Sequence, residues 1–310
     1  MFEVRVARVD ELDKVRNFYH ELLDDNVGSN FGPNWQKDIY PSSELLQHSI
    51  KNGGIFIGED NGKFSSCMIL NFNYEDKKIA VIHALGVSQY VFNYGFEKQM
   101  TKFAINLAVK NNQRALWLDS RNYYIHTAGI YERLGFKKIN KNFYEYPLPS
   151  EITIRLIKNE EMSDIQKMVD ESFEVNQPYF PQVFSYDDRE TILELSLNYY
   201  SKHKDKKIYV LTAEDEIIGC VVVTIYKGNN AYVDLLCIET KRQKQNFGYA
   251  AWLAIERYFP QIKTWTLETP ICLIKNACFY VNKCGFSIIE IKDYKHDFRR
   301  FVFRKEICKN

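Results

Sequence analysis

Cys237-Ile238-Glu239-Thr240-Lys241-Arg242-Gln243-Lys244-Gln245-Asn246-Phe247-Gly248 runs from an apolar, β-rich segment through a polar loop into a helical pattern that continues to Phe259. A loop of this kind can turn consecutive backbone N–H groups toward one point, and the helix start adds about half a positive charge there. Lys241, Arg242 and Lys244 raise the local potential, and Gly248 removes the Cβ that would hold an anion away from the backbone. Taken by itself, the stretch reads more naturally as a solvated turn ahead of a glycine-containing helix. Its surroundings change that reading.

The chain repeats itself. Leu134-Gly135-Phe136 returns as Cys284-Gly285-Phe286 at an offset of 150, as does Val4-Arg5-Val6 in Ile154-Arg155-Leu156. Between these anchors, Val87 and Phe96 recur 151 positions later as Ile238 and Phe247. Solenoid repeats run roughly 20 to 50 residues, so this period describes a whole domain. Two domains are predicted, over residues 1–149 and 150–310, joined at Leu148-Pro149-Ser150.

In the first copy, Leu12, Val15, Phe18, Tyr19 and Leu22 follow a 3.6-residue period behind an acidic first turn, which predicts a helix over 10–23. A loop with Gly28, Gly32, Pro33 and Pro41 leads to a helix over 42–52. Strands follow over 54–59, 64–72 and 79–87, broken by turns such as Asp60-Asn61-Gly62. Phe96, Met100, Phe103 and Leu107 mark a helix, 115–119 a strand, 127–134 a helix, and 137–146 two closing strands. The second copy repeats the order: helices over 160–173 and near 189–200, strands over 207–213, 217–226 and 231–238, a helix over 247–259, a strand over 264–269, a helix near 277–283, and strands over 287–292 and 298–304. The expected fold class is α/β in the α+β sense, each domain a mixed sheet with helices on both faces.

Composition narrows the function. With 41 basic and 40 acidic side chains among 310 residues, the net charge of +1 gives no global field for nucleic acid or anionic lipid. The longest apolar run, Ile217 to Tyr226, falls short of the ~20 residues of a membrane helix. The N-terminus lacks a signal-peptide layout. The expectation is a cytoplasmic protein with no nucleic-acid or membrane partner, a monomer or homodimer. Six of the seven cysteines lie at Cys220 or beyond, without Cys-x-x-Cys or paired histidines. They read as small buried hydrophobes in a reducing compartment, and no metal is expected.

The element order and these stretches together resemble the GNAT superfamily of acyl-CoA-dependent N-acetyltransferases, twice over and across nearly the whole chain. The family's signature after its fourth strand is Gln or Arg, two residues, Gly, one residue, then Gly or Ala. Aligned without gaps from Ile238 to Phe259-Pro260, Gln243 takes the first position, Asn246 the first glycine and Gly248 the second. A second register, Gln245-x-x-Gly248-x-Ala250, fits the letter of the motif with a two-residue insertion. Either way the resemblance implies that amides of Gln243, Lys244, Gln245, Asn246, Phe247, Gly248, Tyr249 and Ala250 hold the diphosphate of coenzyme A, with acetyl-CoA as co-substrate. It also implies a fifth strand splayed from the fourth, so that backbone groups of Leu236, Cys237 and Ile238 bind the pantetheine arm. Trp265-Thr266-Leu267-Glu268-Thr269-Pro270, Asn276-Ala277-Cys278-Phe279-Tyr280 and Gly285-Phe286 carry the second signature. On it, Asn276 binds the arm and Tyr280 protonates the departing thiolate. Tyr280 lies one residue further from its Gly-Phe pair than Tyr131 does in the first copy.

The first copy departs from the pattern. Val87-Ser88-Gln89-Tyr90-Val91-Phe92-Asn93-Tyr94-Gly95-Phe96-Glu97 has Phe92 at the Gln or Arg position and Glu97 at the second glycine. A carboxylate there opposes a phosphate. Asn122 and Tyr131 are kept, so this half reads as a degenerate copy retained for architecture or substrate contact.

Direct acyl transfer needs a deprotonated amine, an oxyanion donor and a proton for sulfur. Asp234 and Glu239, at opposite ends of one strand, are the candidate bases; Asp234 alternates in phase with Leu236 and Ile238, and Glu239 falls on the other face unless a bulge intervenes. Both also read as solvated carboxylates. His83 is the comparable group in the first copy. Aromatic loops, with Phe31, Trp35 and Tyr40 in one copy and Tyr179, Phe180 and Phe184 in the other, point to a small-molecule amine acceptor, and equally to packing. The other functions open at this stage are a non-catalytic acyl-CoA or metabolite sensor with decayed sites, and aminoacyl transfer, which the absence of a basic stripe disfavours.

Overall fold

The computed structural model describes residues 2–25, 35–91, 95–120, 131–180, 196–243, 245–293 and 299–307. Chain contacts divide it into two units, Met1–Leu148 and Pro149–Asn310. The first contains β1 (Phe2–Val6), α1 (Leu12–Asp25), α2 (Ser43–Lys51), β2 (Ile55–Asp60), β3 (Lys63–Asn71), β4 (Ile79–Val87), α3 (Phe96–Lys110), β5 (Ala115–Asp119), β6 (Lys137–Lys138) and β7 (Phe143–Pro147). The second contains β8 (Ile152–Leu156), α4 (Met162–Glu174), α5 (Leu197–Ser201), β9 (Lys206–Ala213), β10 (Glu216–Tyr226), β11 (Asn230–Ile238), α6 (Phe247–Tyr258), β12 (Thr264–Pro270), α7 (Ile274–Asn282), β13 (Ser287–Asp293) and β14 (Arg299–Glu306). The expected helix near 189–200 is described only as α5, and of the helix expected over 127–134 only 131–133 are described as helical.

Each unit builds a seven-stranded sheet, ordered β1-β2-β3-β4-β5-β7-β6 in one and β8-β9-β10-β11-β12-β14-β13 in the other. The two orders are the same. Among the described strands, β4 with β5 and β11 with β12 run parallel; in each pair the single intervening α-helix returns the chain to the same end of the sheet. Four rungs hold each parallel pair, from Ile79↔Ala115 to Ile82↔Leu118 and from Asn230↔Thr264 to Val233↔Leu267. Beyond Leu267, β12 goes on pairing with β14 through Pro270 while β11 goes on pairing with β10 through Ile238. The two strands therefore part at Asp234.

A bulge accompanies the parting. Register moves from Val222↔Leu235 to Val223↔Val233, so Asp234 is the extra residue of β11. In the first sheet the irregularity falls between Ile69↔His83 and Cys67↔Gly86, with Ala84 at a φ of 47°. Gly86 lies next to it, and a Cβ there would come within 2.6 Å of Leu22 Cδ2, so that side chain would have to move.

Helical periodicity supplies the cores. Val15, Phe18, Tyr19 and Leu22 of α1 pack on Ile55, Ile57, Cys67, Ile69 and Ala84. In the second unit Ile165 and Val169 of α4, with Leu197 and Tyr200 of α5, cover Ile208, Val210, Cys220, Val222, Leu235 and Cys237. α6 is apolar along most of its length and buries Phe247, Ala251, Trp252 and Ile255.

The repeated Arg of the first strand has a structural purpose in both units. Arg5 Nη1 donates to Glu11 Oε2 at 2.7 Å and Arg155 Nη2 to Glu161 Oε1 at 2.6 Å. The same carboxylates accept from the Arg8 and Lys158 amides at 2.9 Å, which caps the turn that starts the first helix. These hydrogen bonds hold both the Glu11 and the Glu161 carboxyls down at about 2. A depressed native value means stability that is present above the ordinary carboxylate range and is lost as pH falls from about 4.5 toward about 2. Glu11, only 6% exposed and also joined through Arg5 to Glu59, sits in the tighter network; Glu161 is 16% exposed. Glu11→Gln is expected to cost about 2 kcal/mol at pH 7 and Glu161→Gln less, in thermal melts. Both differences should shrink as pH falls below 4.5; a pH-independent cost would contradict the assignment.

Candidate functional site

Past Ile238, the Glu239 amide donates to Ile218 O at 2.9 Å and the chain makes a single 3-10 turn over Thr240–Arg242. Gln243 then fastens the loop to the strand: its Nε2 donates to Ile238 O at 3.1 Å and to Ser172 Oγ at 3.3 Å. Gln245 Nε2 donates back to Lys241 O at 2.8 Å. Asn246, at a φ of 64°, turns the chain into α6, whose first turn has no side-chain cap. The amides opening a helix have no acceptor within it, so this end is left with donors that suit an anion. The donor set fits the diphosphate of a coenzyme.

The basic residues around the loop are arranged differently from expectation. Lys241 Nζ lies 2.9 Å from Glu239 Oε1, and Arg242 Nη2 lies 2.5 Å from Glu216 Oε2, with its guanidinium over the Phe247 ring. Lys244 lies outside the described residues. Lys283, which local sequence gives no reason to single out, donates to Asn246 Oδ1 at 2.7 Å and sets a cation at the start of α6. The Cβ that Gly248 lacks would touch the Phe279 ring at 3.5 Å, so the start of α6 packs closely on α7. Tyr249 and Ala250 are buried behind it.

α7 brings the second signature to the parting of the strands. Asn276 Nδ2 donates to Thr269 Oγ1 at 3.3 Å. Tyr280 is packed among Phe279, Phe286 and Phe303. Burial, with a smaller contribution from Cys284, raises its phenol well above the ordinary tyrosine range, so it stays protonated. The extra residue between Tyr280 and its Gly-Phe pair is absorbed in the turn: Phe286 N donates to Tyr280 O at 3.0 Å, as Phe136 N does to Tyr131 O at 3.0 Å.

The two candidate bases are separated by the length of the free strand. Asp234 stands at the vertex, where its Oδ2 accepts from Thr224 Oγ1 at 2.6 Å and its other oxygen pairs with Lys206. Glu239 is at the loop end. Tyr179 and Phe180 follow α4, and Lys275 of α7 lies over the Tyr179 ring at 5.8 Å, so this turn borders the helix carrying Tyr280. Phe184 lies outside the described residues. Among the described residues no group of three or more His, Cys, Asp or Glu could hold a metal.

In the first unit Glu97 enters the first turn of α3. Burial raises its carboxyl, and the neighbouring Tyr131 hydroxyl opposes the rise. At the vertex, His83 Nδ1 lies 3.0 Å from Asp119 Oδ2. Phe31, Phe92 and Asn122 lie outside the described residues, while Trp35 is buried on Tyr19 and Tyr40, as packing rather than as an open loop.

A family model described as the acetyltransferase (GNAT) family matches residues 16–136 and again 169–286. An uncharacterised protein of Bacillus subtilis (strain 168), YrkN, is 34% identical over 90 residues, which are 29% of this chain and 49% of that protein. The chain thus spans about half the length of that curated relative. Similar solved structures include an acetyltransferase from Listeria monocytogenes, with 20% identity, a TM-score of 0.41, and 47% and 95% of the two chains covered. A spermidine N-acetyltransferase from Vibrio cholerae, in complex with CoA and spermine, has 14% identity, a TM-score of 0.38, and coverage of 50% and 95%.

The environment of Glu97 generates a prediction. A carboxyl raised in the native state binds its proton more tightly when folded, so stability is greatest at low pH and falls as pH rises through the raised value. Glu97→Gln removes that penalty and should raise the melting temperature at pH 7 by about 2 °C, with no gain at pH 4. A loss of stability at pH 7 would show instead that the carboxylate is held favourably.

Proposed function

The chain belongs to the acetyltransferase (GNAT) family, and from that premise we propose that its C-terminal domain transfers an acetyl group from acetyl-CoA to the primary amine of a small, amino-acid-like acceptor. The observation that carries the proposal is the parting of β11 from β12 after Val233↔Leu267, directly ahead of an uncapped helix start. It leaves the flank of Leu236, Cys237 and Ile238 that faced β12 with main-chain groups for a pantetheine arm. Amides of the loop and of the first turn of α6 would take the diphosphate, except those of Gln243 and Ala250, which already donate to Thr240 O and Asn246 O, and Asn276 would take the arm.

Bound acetyl-CoA supplies an activated acyl carbon, so no covalent intermediate on the protein is needed. Asp234 is the base favoured by its place at the vertex; Glu239, at the loop end, would act only through water. A strand amide beside the bulge stabilises the oxyanion. Tyr280, kept protonated by burial, donates a proton to the thiolate. Tyr179 and Phe180 flank the acceptor, and Lys275, over the Tyr179 ring, favours one that carries a carboxylate beside its amine. The N-terminal domain, with Glu97 in the helix start, would bind no coenzyme.

Calorimetric titration of acetyl-CoA into the whole chain tests this reading. One equivalent should bind, Gly248→Glu should raise Kd by at least about 100-fold, and Glu97→Gly should leave it unchanged. Two equivalents, or binding that survives Gly248→Glu, would overturn it. With an amine panel, Tyr280→Phe is expected to lower kcat by about 100-fold while Kd for acetyl-CoA stays within about twofold. A matching loss of affinity would assign Tyr280 to packing.

A further inference from the structure

Lys206 opens β9, two strands away from β11, yet its side chain crosses the sheet face to Asp234. Its ammonium pairs with the Asp234 carboxylate and lies 3.2 Å from Thr224 Oγ1, which itself donates to Asp234. The Tyr200 ring covers it, with the nitrogen 5.6 Å from the ring centroid. The side chains of Lys206 and Asp234 are only 17% and 8% exposed. Long lysine side chains are seldom covered to this degree unless paired. This one is paired with the first residue past the last rung of β11 and β12, at the bulge that marks the parting.

That arrangement is a list of what an acyl acceptor needs. A primary amine is held at the vertex, a carboxylate is in hydrogen-bond contact to take its proton, and an aromatic ring restricts water. A free amine substrate would have to be bound there; Lys206 is there already. We propose that Lys206 is an acyl acceptor, and that the C-terminal domain acetylates its own lysine.

The step balances with the groups present and acetyl-CoA. Lys206 gives one proton to the Asp234 carboxylate, from which it passes to solvent. Its neutral Nζ then forms a bond to the acyl carbon, the carbon–sulfur bond breaks, and the nitrogen gives up its second proton, which restores Tyr280 where that phenol protonates the sulfur and otherwise passes to solvent. The departing thiolate takes a proton from Tyr280 or water. The products are Nε-acetyl-Lys206, the free thiol and one proton released. Acetylation removes the charge that neutralises Asp234, so the modified protein presents that carboxylate to a second amine. Self-acetylation would thus precede, and license, turnover of a free acceptor.

The inference rests on the acetyl-CoA site proposed above, and its test separates the two. The full chain is incubated with acetyl-CoA, occupancy of every lysine is read by peptide mass spectrometry, and coenzyme binding is measured by calorimetry on the same sample. Acetic anhydride, which needs no binding site, serves as a chemical control for intrinsic reactivity. Lys206 should be acetylated at least about tenfold more than any other lysine with acetyl-CoA, and no more than the others with acetic anhydride. Gly248→Glu should abolish the mark, and Asp234→Asn should slow it by about 100-fold. Lys206→Arg, which keeps the ion pair and the fold, should lose the mark with coenzyme affinity intact. Binding of acetyl-CoA with Lys206 unmodified would overturn the inference alone, as would equal marking in the wild type and Gly248→Glu. A flat titration would overturn the proposed site and the inference with it.

Discussion

Most of what this fold can do follows from one feature: β11 and β12 do not stay paired. β12 is held along its whole length by antiparallel β14, and β11 by antiparallel β10, while only four parallel rungs join them. A β-bulge adds a residue to β11 where the rungs end, which bends it away. Main-chain donors and acceptors must find partners, so an interior strand with one open flank offers those groups to water or to a ligand. The anion-suited helix start, the half-buried phenol of Tyr280 and the vertex carboxylate lie on the elements that border that opening.

The two domains share the feature and differ in what surrounds it. Both sheets have the same order, both part after four rungs, and both anchor the first strand with an Arg–Glu pair. At the helix start, one copy has Gly248 against Phe279 and the other Glu97 against Tyr131. At the vertex, one has Asp234 with Lys206 and Thr224, and the other His83 with Asp119. The shared architecture depends on apolar periodicity, while the polar side chains at the opening differ between the two domains.

The fold was legible because its determinants are local and repeated: the period of α1, the turn at Asp60-Asn61-Gly62, and the common offset of the Gly-Phe pairs. The candidate site was legible in part. The loop from Ile238 to Gly248 and the Asn276, Tyr280 signature are contiguous in the chain. Lys206, Thr224 and Lys283 were not, because each meets its partner through sheet register or helix packing: Lys206 reaches Asp234 across two strand pairings, and Lys283 reaches Asn246 from the end of α7. Charge close in sequence misled for the same reason, since Lys241 and Arg242 are turned to Glu239 and Glu216. The bulge that decides which face Asp234 takes is likewise a property of the ladder.

The central claim, that the open flank of β11 and the first turn of α6 receive a coenzyme, is met most directly by amide hydrogen exchange with and without acetyl-CoA. Protection rising together at Leu236 to Ile238 and at Phe247 to Ala250, with no change at Leu85 to Val87 or at the start of α3, is the predicted result. Unchanged exchange in the C-terminal segments at saturating coenzyme, or protection confined to the N-terminal ones, would contradict it.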